Sequence, residues 1–295
     1  MTGRADPLPW RRPPRGHFPG VPAWGAPGAE LRADDFGACL LPRVTRDWAW
    51  GGSDGSGVRV CVLDSGIDGG HPLIGSVERS MSVLVSAAGE HVVAEADAAD
   101  RAGHGTACAS IIRAVAPGAA LCAVRVLTDG MRGSGPALLA GLRWAIDEGY
   151  DVINMSLSTT KPHLREALYE LADRSYFRRC ILVSAAHNMP VISFPWQFPT
   201  VISVASHDES DPLTYYYNPS PPVEFYARGL RVRTAWPGGG TAVNTGNSFA
   251  APHIAGICAL ILAKHPRLTP FQLKSVLYQS ASNLIHRGGG ACASE

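Results

Sequence analysis

Three polar residues of this chain stand where a predicted strand or helix meets a glycine-rich turn. Asp64 closes the apolar run VRVCVLD, His104 lies between glycines in DRAGHGTACAS, and Ser248 follows Gly246 and Asn247 at the start of a long apolar segment. Each alone has an ordinary structural interpretation: a turn residue, a loop histidine and a helix N-cap. Together they have the residue types, in one of the known chain orders, of a triad in which histidine deprotonates a serine hydroxyl and a carboxylate orients the imidazole.

The segments around these residues predict an α/β fold. Continuous apolar runs predict buried strands at 58–64, 121–127, 151–157, 179–185 and 200–206. Helical periodicity is present at 105–116, 136–150, 163–175, 248–265 and 269–281, the last with Thr269 as its cap and Pro270 at its first position. Strands that alternate with helices predict a three-layer sandwich, with a mainly parallel central sheet flanked by helices. Active sites of such sheets gather at the carboxyl ends of the strands.

The composition argues against several classes of function. The 295 residues include 26 Lys and Arg against 25 Asp and Glu, so a formal charge of +1 gives no reason to expect nucleic acid or an anionic membrane as partner. The sequence contains no run of eighteen apolar residues, so it does not predict a membrane-spanning helix. Because the sequence has no G-x-x-x-x-G-K-[ST] and no G-x-G-x-x-G between a strand and a helix, we expect no nucleotide cofactor.

The cysteines and the N-terminal sequence predict a cytoplasmic protein. The seven cysteines are scattered and have no C-x-x-C spacing, which argues against a zinc site or a redox motif. Several lie in apolar runs, where a reduced cysteine behaves as a small core residue. The first twenty residues, MTGRADPLPWRRPPRGHFPG, lack the apolar segment of a secretory signal.

The segments that flank the three polar residues resemble the subtilisin-like serine peptidases. The resemblance is carried, in order, by VLDSGIDGGHP (62–72), GHGTACAS (103–110), DVINMSL (151–157), SAAHN (184–188) and GNSFAAPHIAG (246–256). It implies the subtilisin-like fold and a serine endopeptidase whose triad is Asp64, His104 and Ser248. The oxyanion donors it implies are the Asn188 side chain and the Ser248 backbone N–H.

The resemblance also implies how a substrate is held. A peptide or protein substrate would bind as an extended strand between two backbone edges. These edges are Gly133, Ser134 and Gly135 on one side and Ser156, Leu157 and Ser158 on the other. His187 stands where relatives commonly have a glycine that lines the pocket for the residue before the cleaved bond. We therefore expect a pocket that is narrowed or polarised by an imidazole.

Other departures concern the edge of the site and a calcium site. Asn247 replaces a usual threonine and Ser158 a usual glycine, both without changing the nucleophile. Relatives often bind calcium through an acid after the His-Pro pair and through a longer loop after the histidine helix. Here Leu73, and no acid, follows that pair. Residues 111–115 of the histidine helix continue directly into 116–121, without the longer loop of those relatives. Calcium prefers six to eight oxygen ligands, so we expect no metal at that position.

The sequence also predicts a division of the chain. Residues 1–30, rich in Pro and Arg, are expected to form a disordered N-terminal arm, and residues 31–54 a connecting segment. The subtilisin-like peptidase domain is expected at 55–285, followed by a short tail at 286–295.

Three functions fit these features. The favoured one is an intracellular processing peptidase of narrow specificity, for example one that cleaves a leader from a precursor, because an unselective protease inside a cell would be toxic. A peptide ligase or macrocyclase that passes the same acyl-enzyme to an amine is the alternative. A catalytically silent peptide-binding module is less favoured, because Asp64, His104, Asn188 and Ser248 are all present. The oligomeric state is left open.

Overall fold

A nine-stranded sheet forms the centre of the computed structural model, which describes residues 44–128 and 130–284. Its strands are β1 (Arg59–Asp64), β2 (Arg79–Val85), β3 (His91–Glu95), β4 (Ala120–Arg125), β5 (Val152–Met155), β6 (Ile181–Ala185), β7 (Ile202–His207), β8 (Tyr215–Tyr217) and β9 (Phe225–Arg228). A separate antiparallel pair consists of β10 (Val232–Trp236) and β11 (Gly240–Asn244). The order across the sheet is β3-β2-β4-β1-β5-β6-β7-β9-β8. Only the edge strands β3 and β8 pair antiparallel with their neighbours.

Helices cover both faces of this sheet. They are α1 (Arg46–Trp50), α2 (His104–Val115), α3 (Gly135–Asp147), α4 (Arg165–Phe177), α5 (Asn247–Lys264) and α6 (Pro270–Ser280), with a 3₁₀ turn at Pro162–Leu164. Helices α2 and α5 pack on each other and on the central strands. Helix α3 packs on α4 and on strands β1 to β4. The prediction of an α/β fold with a mainly parallel sheet between helices is confirmed.

The core strands and the long helix follow from apolar sequence. Strands β1, β5 and β6 are buried almost throughout, as continuous apolar runs require when both faces of a sheet are covered. Helix α5 is apolar all round and buried along nearly its whole length. Among the described helices it is the one long and apolar enough to cross a bilayer, but 78% of it is buried, as expected of a core helix.

Several elements were not indicated by the sequence. The hairpin β2–β3, strands β8 and β9, and the pair β10–β11 are short and only partly buried, so they have no continuous apolar run. The Thr269 cap and Pro270 at the first helical position are present, and Gln272 completes a capping box. In the segment predicted as a connection, α1 begins after its Thr45 cap and contacts α5. The predicted arm at 1–30 and tail at 286–295 lie outside the described residues.

Candidate active site

The predicted polar residues meet at one edge of the sheet. Strands β4, β1, β5 and β6 are neighbours and parallel, so their carboxyl ends lie side by side. Asp64 is the last residue of β1, Ser156 follows β5, and Asn188 lies three residues beyond β6. Helices α2 and α5 begin here, with His104 as the first residue of α2 and Ser248 as the second of α5. The N-cap of α5 is Gly246, so Ser248 is not the cap.

Asp64 and His104 form a buried pair. The Asp64 carboxylate is fully buried, and its Oδ1 and Oδ2 lie 2.8 and 3.0 Å from His104 Nδ1. Oδ1 also accepts a 2.8 Å hydrogen bond from the Ser65 N–H. Because a carboxylate only accepts hydrogen bonds, Nδ1 must carry the proton, and the neutral ring then presents an unprotonated Nε2.

The same pair sets the protonation behaviour of the imidazole. Burial alone lowers the pKa of His104, but the charge of Asp64 and its hydrogen bond act in the other direction. The net result is a His104 pKa well above its ordinary value of 6.5. The ring is therefore a stronger base than a free imidazole and is unprotonated only at higher pH.

Asp100 fixes the start of α2 and was not indicated by the sequence analysis. Its Oδ1 accepts from the N–H groups of Ala102 and Gly103, at 3.1 and 2.8 Å. Its Oδ2 accepts from the N–H and the hydroxyl of Thr106, at 2.9 and 2.8 Å. An acid just before a predicted helix is the available signal, since helix N-termini favour such caps. Asp100 thereby positions the turn that presents His104.

Two glycines allow the end of β1 to touch the start of α2. A Cβ on Gly105 would lie 2.1 Å from the Gly66 carbonyl oxygen, so no larger residue fits there. Gly66 has a φ of 111°, in the region that favours glycine. The Gly105 N–H donates to Ser65 Oγ at 2.9 Å, which fastens the helix to the residue after Asp64.

A proline inside α5 frees the carbonyl group of Ser248. Pro252 has no N–H and so cannot donate to the carbonyl four residues before it, which is that of Ser248. This oxygen instead accepts from Ser156 Oγ at 2.7 Å and from Cys108 Sγ at 3.5 Å. Ser156 Oγ accepts in turn from the buried amide of Asn154 at 3.0 Å. The carbonyl end of Ser248 is thus held to β5 and α2.

Asn188 lies beside Ser248 with its amide donor directed toward the same space. Asn188 Oδ1 accepts from the Asn247 N–H at 2.9 Å, which leaves the Nδ2 group to donate elsewhere. A Cβ on Gly246 would lie 3.4 Å from both Asn188 Nδ2 and Ser248 Oγ, so both atoms flank one point. Gly246 has a φ of 154°, and the absence of a side chain there leaves this space open.

Asn247, noted above as a departure from threonine, joins three segments of the site. Its Oδ1 accepts from the Ser206 N–H at 3.0 Å, at the end of β7. Its Nδ2 donates to the carbonyl groups of Ala186 and His187, at 3.2 and 3.3 Å. Asn247 therefore holds the strand end that carries Asn188 against the start of α5.

A cleft of about 340 Å³ brings the predicted residues together. It is lined by His104, Asn188, Ser248 and all seven residues predicted to hold substrate: Gly133, Ser134, Gly135, Ser156, Leu157, Ser158 and His187. Asp64 is not among the lining residues, since it is buried behind the His104 ring. Eight further lining residues were not indicated by the sequence, where proximity to the strand ends was the available signal: Val126, Leu127, Met131, Leu138, Thr159, Lys161, Ala185 and Ala186.

Comparison with known proteins agrees with this geometry. Residues 55–293 match the family model described as the Subtilase family. The chain belongs to the subtilase family. Subtilisin E of Bacillus subtilis (strain 168) is 32% identical over 248 residues, which cover 79% of this chain and 62% of that protein. Subtilisin DY of Bacillus licheniformis is 31% identical over 248 residues, covering 79% of this chain and 86% of that protein.

A solved relative agrees in fold. The crystal structure of a cold adapted subtilisin-like serine proteinase superimposes with a TM-score of 0.63 and 27% identity. The match covers 79% of this chain and 86% of that one. This chain spans only about three fifths of the length of relatives such as Subtilisin E, 62% by alignment.

The residue after the His-Pro pair, the position at which an acid was expected to bind calcium in relatives, offers no side-chain ligand in this subtilase. Leu73, which follows the His-Pro pair, is exposed and offers no side-chain oxygen. Among the described residues, the one close group of three metal-capable side chains is Asp64, His104 and Cys108. His104 Nδ1 already binds Asp64, and burial raises the pKa of the Cys108 thiol. Cys108 is therefore a protonated thiol, whereas a metal binds the thiolate. The expectation of a metal-free site stays a prediction.

The bond from Ser156 to the Ser248 carbonyl should contribute to stability. Ser156→Ala leaves the half-buried Ser248 carbonyl with only the weak Cys108 thiol as donor and removes the acceptor of the buried Asn154 amide, so the free energy of unfolding should fall by about 1–3 kcal/mol. Urea denaturation measures the change. Ser158→Ala, two residues on, is the matched control and should change the free energy by less than about 0.5 kcal/mol. Equal losses in both variants would contradict the role given to Ser156.

Loss of the Asn247 side chain should loosen the segment that carries Asn188. Asn247→Ala removes three hydrogen bonds, each worth about 1 kcal/mol, so amide hydrogen exchange in residues 186–192 should become faster. Mass spectrometry of peptides from this segment gives the rate. The control is Asn244→Ala, because within the described residues the Asn244 amide donates to Thr234 on the hairpin β10–β11, away from the site. Unchanged exchange in Asn247→Ala would show that other contacts hold the segment.

Proposed function

We propose that this subtilase is a serine endopeptidase in which Ser248 is the nucleophile, His104 the base and Asp64 the residue that orients it. The observation that carries the proposal is the buried Asp64 carboxylate on His104 Nδ1, at the back of the cleft that Ser248 lines. That contact leaves Nε2 as the basic nitrogen on the cleft side of the ring.

The proposed reaction proceeds through an acyl-enzyme. As Ser248 Oγ bonds to the peptide carbonyl carbon, its proton passes to His104 Nε2, and a tetrahedral oxyanion forms. Asn188 Nδ2 and the Ser248 N–H are the proposed donors to that oxyanion, since first-turn N–H groups of a helix have no partner within it. The C–N bond then breaks as His104 protonates the leaving amine, and water repeats the sequence to release the acid.

The substrate is proposed to bind as an extended strand along the cleft. Gly133–Gly135 and Ser156–Ser158 offer backbone groups on its two sides. The glycines here meet the protein's own packing, since a Cβ would lie 2.8 Å from Leu127 Cδ2 at Gly133 and 2.5 Å from Leu164 Cδ1 at Gly135. This mode of binding gives affinity without selecting a sequence, so the selectivity must come from side chains such as His187.

The narrower proposal is a cytoplasmic processing peptidase. Its support is that Cys61, Cys108, Cys122, Cys180 and Cys258 are buried thiols. Two of them, Cys61 and Cys122, are register partners on adjacent strands, and a core built with thiols suits a reducing compartment. The His187 ring in the cleft supports narrow specificity, because it occupies space that a glycine would leave to the substrate.

Ser248 should be the residue acylated by an active-site reagent. A fluorophosphonate probe should label the wild-type protein at Ser248, and Ser248→Ala should lose labelling while its thermal midpoint stays within a few degrees. Peptide mapping by mass spectrometry locates the label. Labelling that persists in Ser248→Ala would contradict the proposal. Product masses from a cleaved peptide then separate hydrolysis, which adds water, from transfer to an amine, which does not.

His187 should restrict the residue accepted before the cleaved bond. Its Nδ1 accepts from the Met189 N–H at 3.0 Å, which fixes the ring in the loop after β6. Fitting a large aromatic side chain against this ring should cost about 1–3 kcal/mol, or roughly 10–200-fold in specificity. His187→Gly should therefore raise kcat/KM for aromatic over small residues within one peptide series. An unchanged ratio would show that His187 does not limit that pocket.

A further inference from the structure

A second pocket, of about 710 Å³, adjoins the cleft. It shares Val126, Leu127 and Ser134 with the cleft, so the two adjoin at the edge that contains Gly133–Gly135. Its far wall is the hairpin β2–β3, with Ser82, Val83, Val85 and His91. The pocket is therefore open to a substrate that lies along that edge, and it is distinct from the cleft around His187.

The charged groups of this pocket are of one sign. Arg101, Arg125 and Arg132 line it, and none of its thirteen described lining residues is an aspartate or glutamate. Asp129, in the same loop as Arg132, lies outside the described residues, and Arg101 already has an interaction partner, so the excess of positive charge is that of Arg125 and Arg132. Because the whole chain has a net charge of only +1, this concentration is local.

The backbone positions of two of these arginines are fixed. Arg125 ends β4, and its Nε donates to Ser82 Oγ at 3.2 Å, which sets the direction of its guanidinium. Within the described part of the chain, its terminal nitrogens have no carboxylate partner. The Arg132 carbonyl accepts from the N–H and the hydroxyl of Thr128, at 2.8 and 3.1 Å, so its loop is closed next to the Gly133 edge.

The cleft itself has one cationic side chain, Lys161, and none of its described lining residues is acidic. A substrate carboxylate therefore meets no like charge from the described lining residues of either region. Arginine is suited to carboxylate recognition because its planar guanidinium donates two parallel hydrogen bonds.

We propose that the pocket formed around Arg101, Arg125 and Arg132, here called the arginine pocket, binds an acidic side chain of the substrate two to four residues before the cleaved bond. The residue next to that bond faces His187, and Gly133–Gly135, which lead into the first turn of α3, flank the substrate residues before it, so a side chain two to four residues before the bond comes within reach of the pocket. This inference rests on the proposed peptidase function and names its substrate class: peptides with Asp or Glu upstream of the cleavage site.

The test compares synthetic peptides that differ only in Glu against Gln at the second, third or fourth position before the bond. Two readouts are taken: kcat/KM, and protection of Ser248 from the fluorophosphonate probe, which reports binding even where hydrolysis is slow. The Glu peptide should be favoured by about three- to tenfold at one of these positions. The ratio should fall toward one between about 0.05 and 1 M salt, since added salt screens exposed charges.

Three variants connect the preference to the arginine pocket. In Arg132→Gln and Arg125→Gln the Glu-to-Gln ratio should fall toward one, and in Arg132→Glu a Lys peptide should be favoured over its Gln counterpart. Arg132 is exposed, so its variants remain informative if loss of the Arg125–Ser82 bond impairs folding. Arg143→Gln, exposed on α3 and lining neither pocket, is the matched control and should keep the wild-type ratio.

The outcomes separate the two proposals. Absence of probe labelling at Ser248 in the wild-type protein overturns the peptidase function and this inference with it. Normal labelling with a Glu-to-Gln ratio of one at all three positions overturns only the arginine pocket. A Glu preference that persists unchanged in Arg132→Gln and Arg125→Gln also overturns it, because the selectivity then arises elsewhere in the cleft.

Discussion

The site depends on one fully buried carboxylate, that of Asp64. A buried charge without partners is costly, so its position is tolerated only where donors meet it. Here the donors are His104 Nδ1 and the Ser65 N–H. This requirement brings the first turn of α2 onto the end of β1, and the glycines at 66 and 105 make the approach sterically possible. The order of the central strands then places the ends of β5 and β6 alongside.

A second constraint fixes the other half of the site. Pro252 deprives the Ser248 carbonyl of its helical hydrogen bond, and the hydroxyl of Ser156 replaces it. The start of α5 is thereby joined to β5, while Asn247 joins it to β6 and β7. Side-chain hydrogen bonds to backbone groups therefore determine where the nucleophile and the amide of Asn188 lie. Such bonds hold the geometry more rigidly than apolar contacts alone, because they have direction as well as distance.

The sequence predicted the parts of the fold whose signal is local. Continuous apolar runs indicated β1, β4, β5, β6 and β7, and the Thr269–Pro270 pair indicated α6. The strands β2, β3, β8 and β9 were missed because short, half-exposed strands are stabilised by their partners in the sheet, which a single segment does not reveal. The same applies within the site. The contacts of Asn247 with Ser206 and with the Ala186 carbonyl join residues far apart in sequence, so only the fold shows them. The contacts of Asp100 are local, and the acid before the predicted helix was their available signal. The role of His187 stays a prediction.

The central claim is that Asp64 acts through the protonation of His104, and the pH dependence of probe labelling tests it most directly. His104 must be unprotonated to activate Ser248, so a raised pKa means that labelling is slow at low pH and rises through a midpoint above 6.5. Asp64→Asn removes the charge that offsets the lowering of the His104 pKa by burial, so the midpoint of labelling should move to lower pH. Labelling should also slow at every pH, because the carboxylate no longer orients the imidazole. A wild-type midpoint at or below 6.5, or one unmoved in Asp64→Asn, would contradict the account.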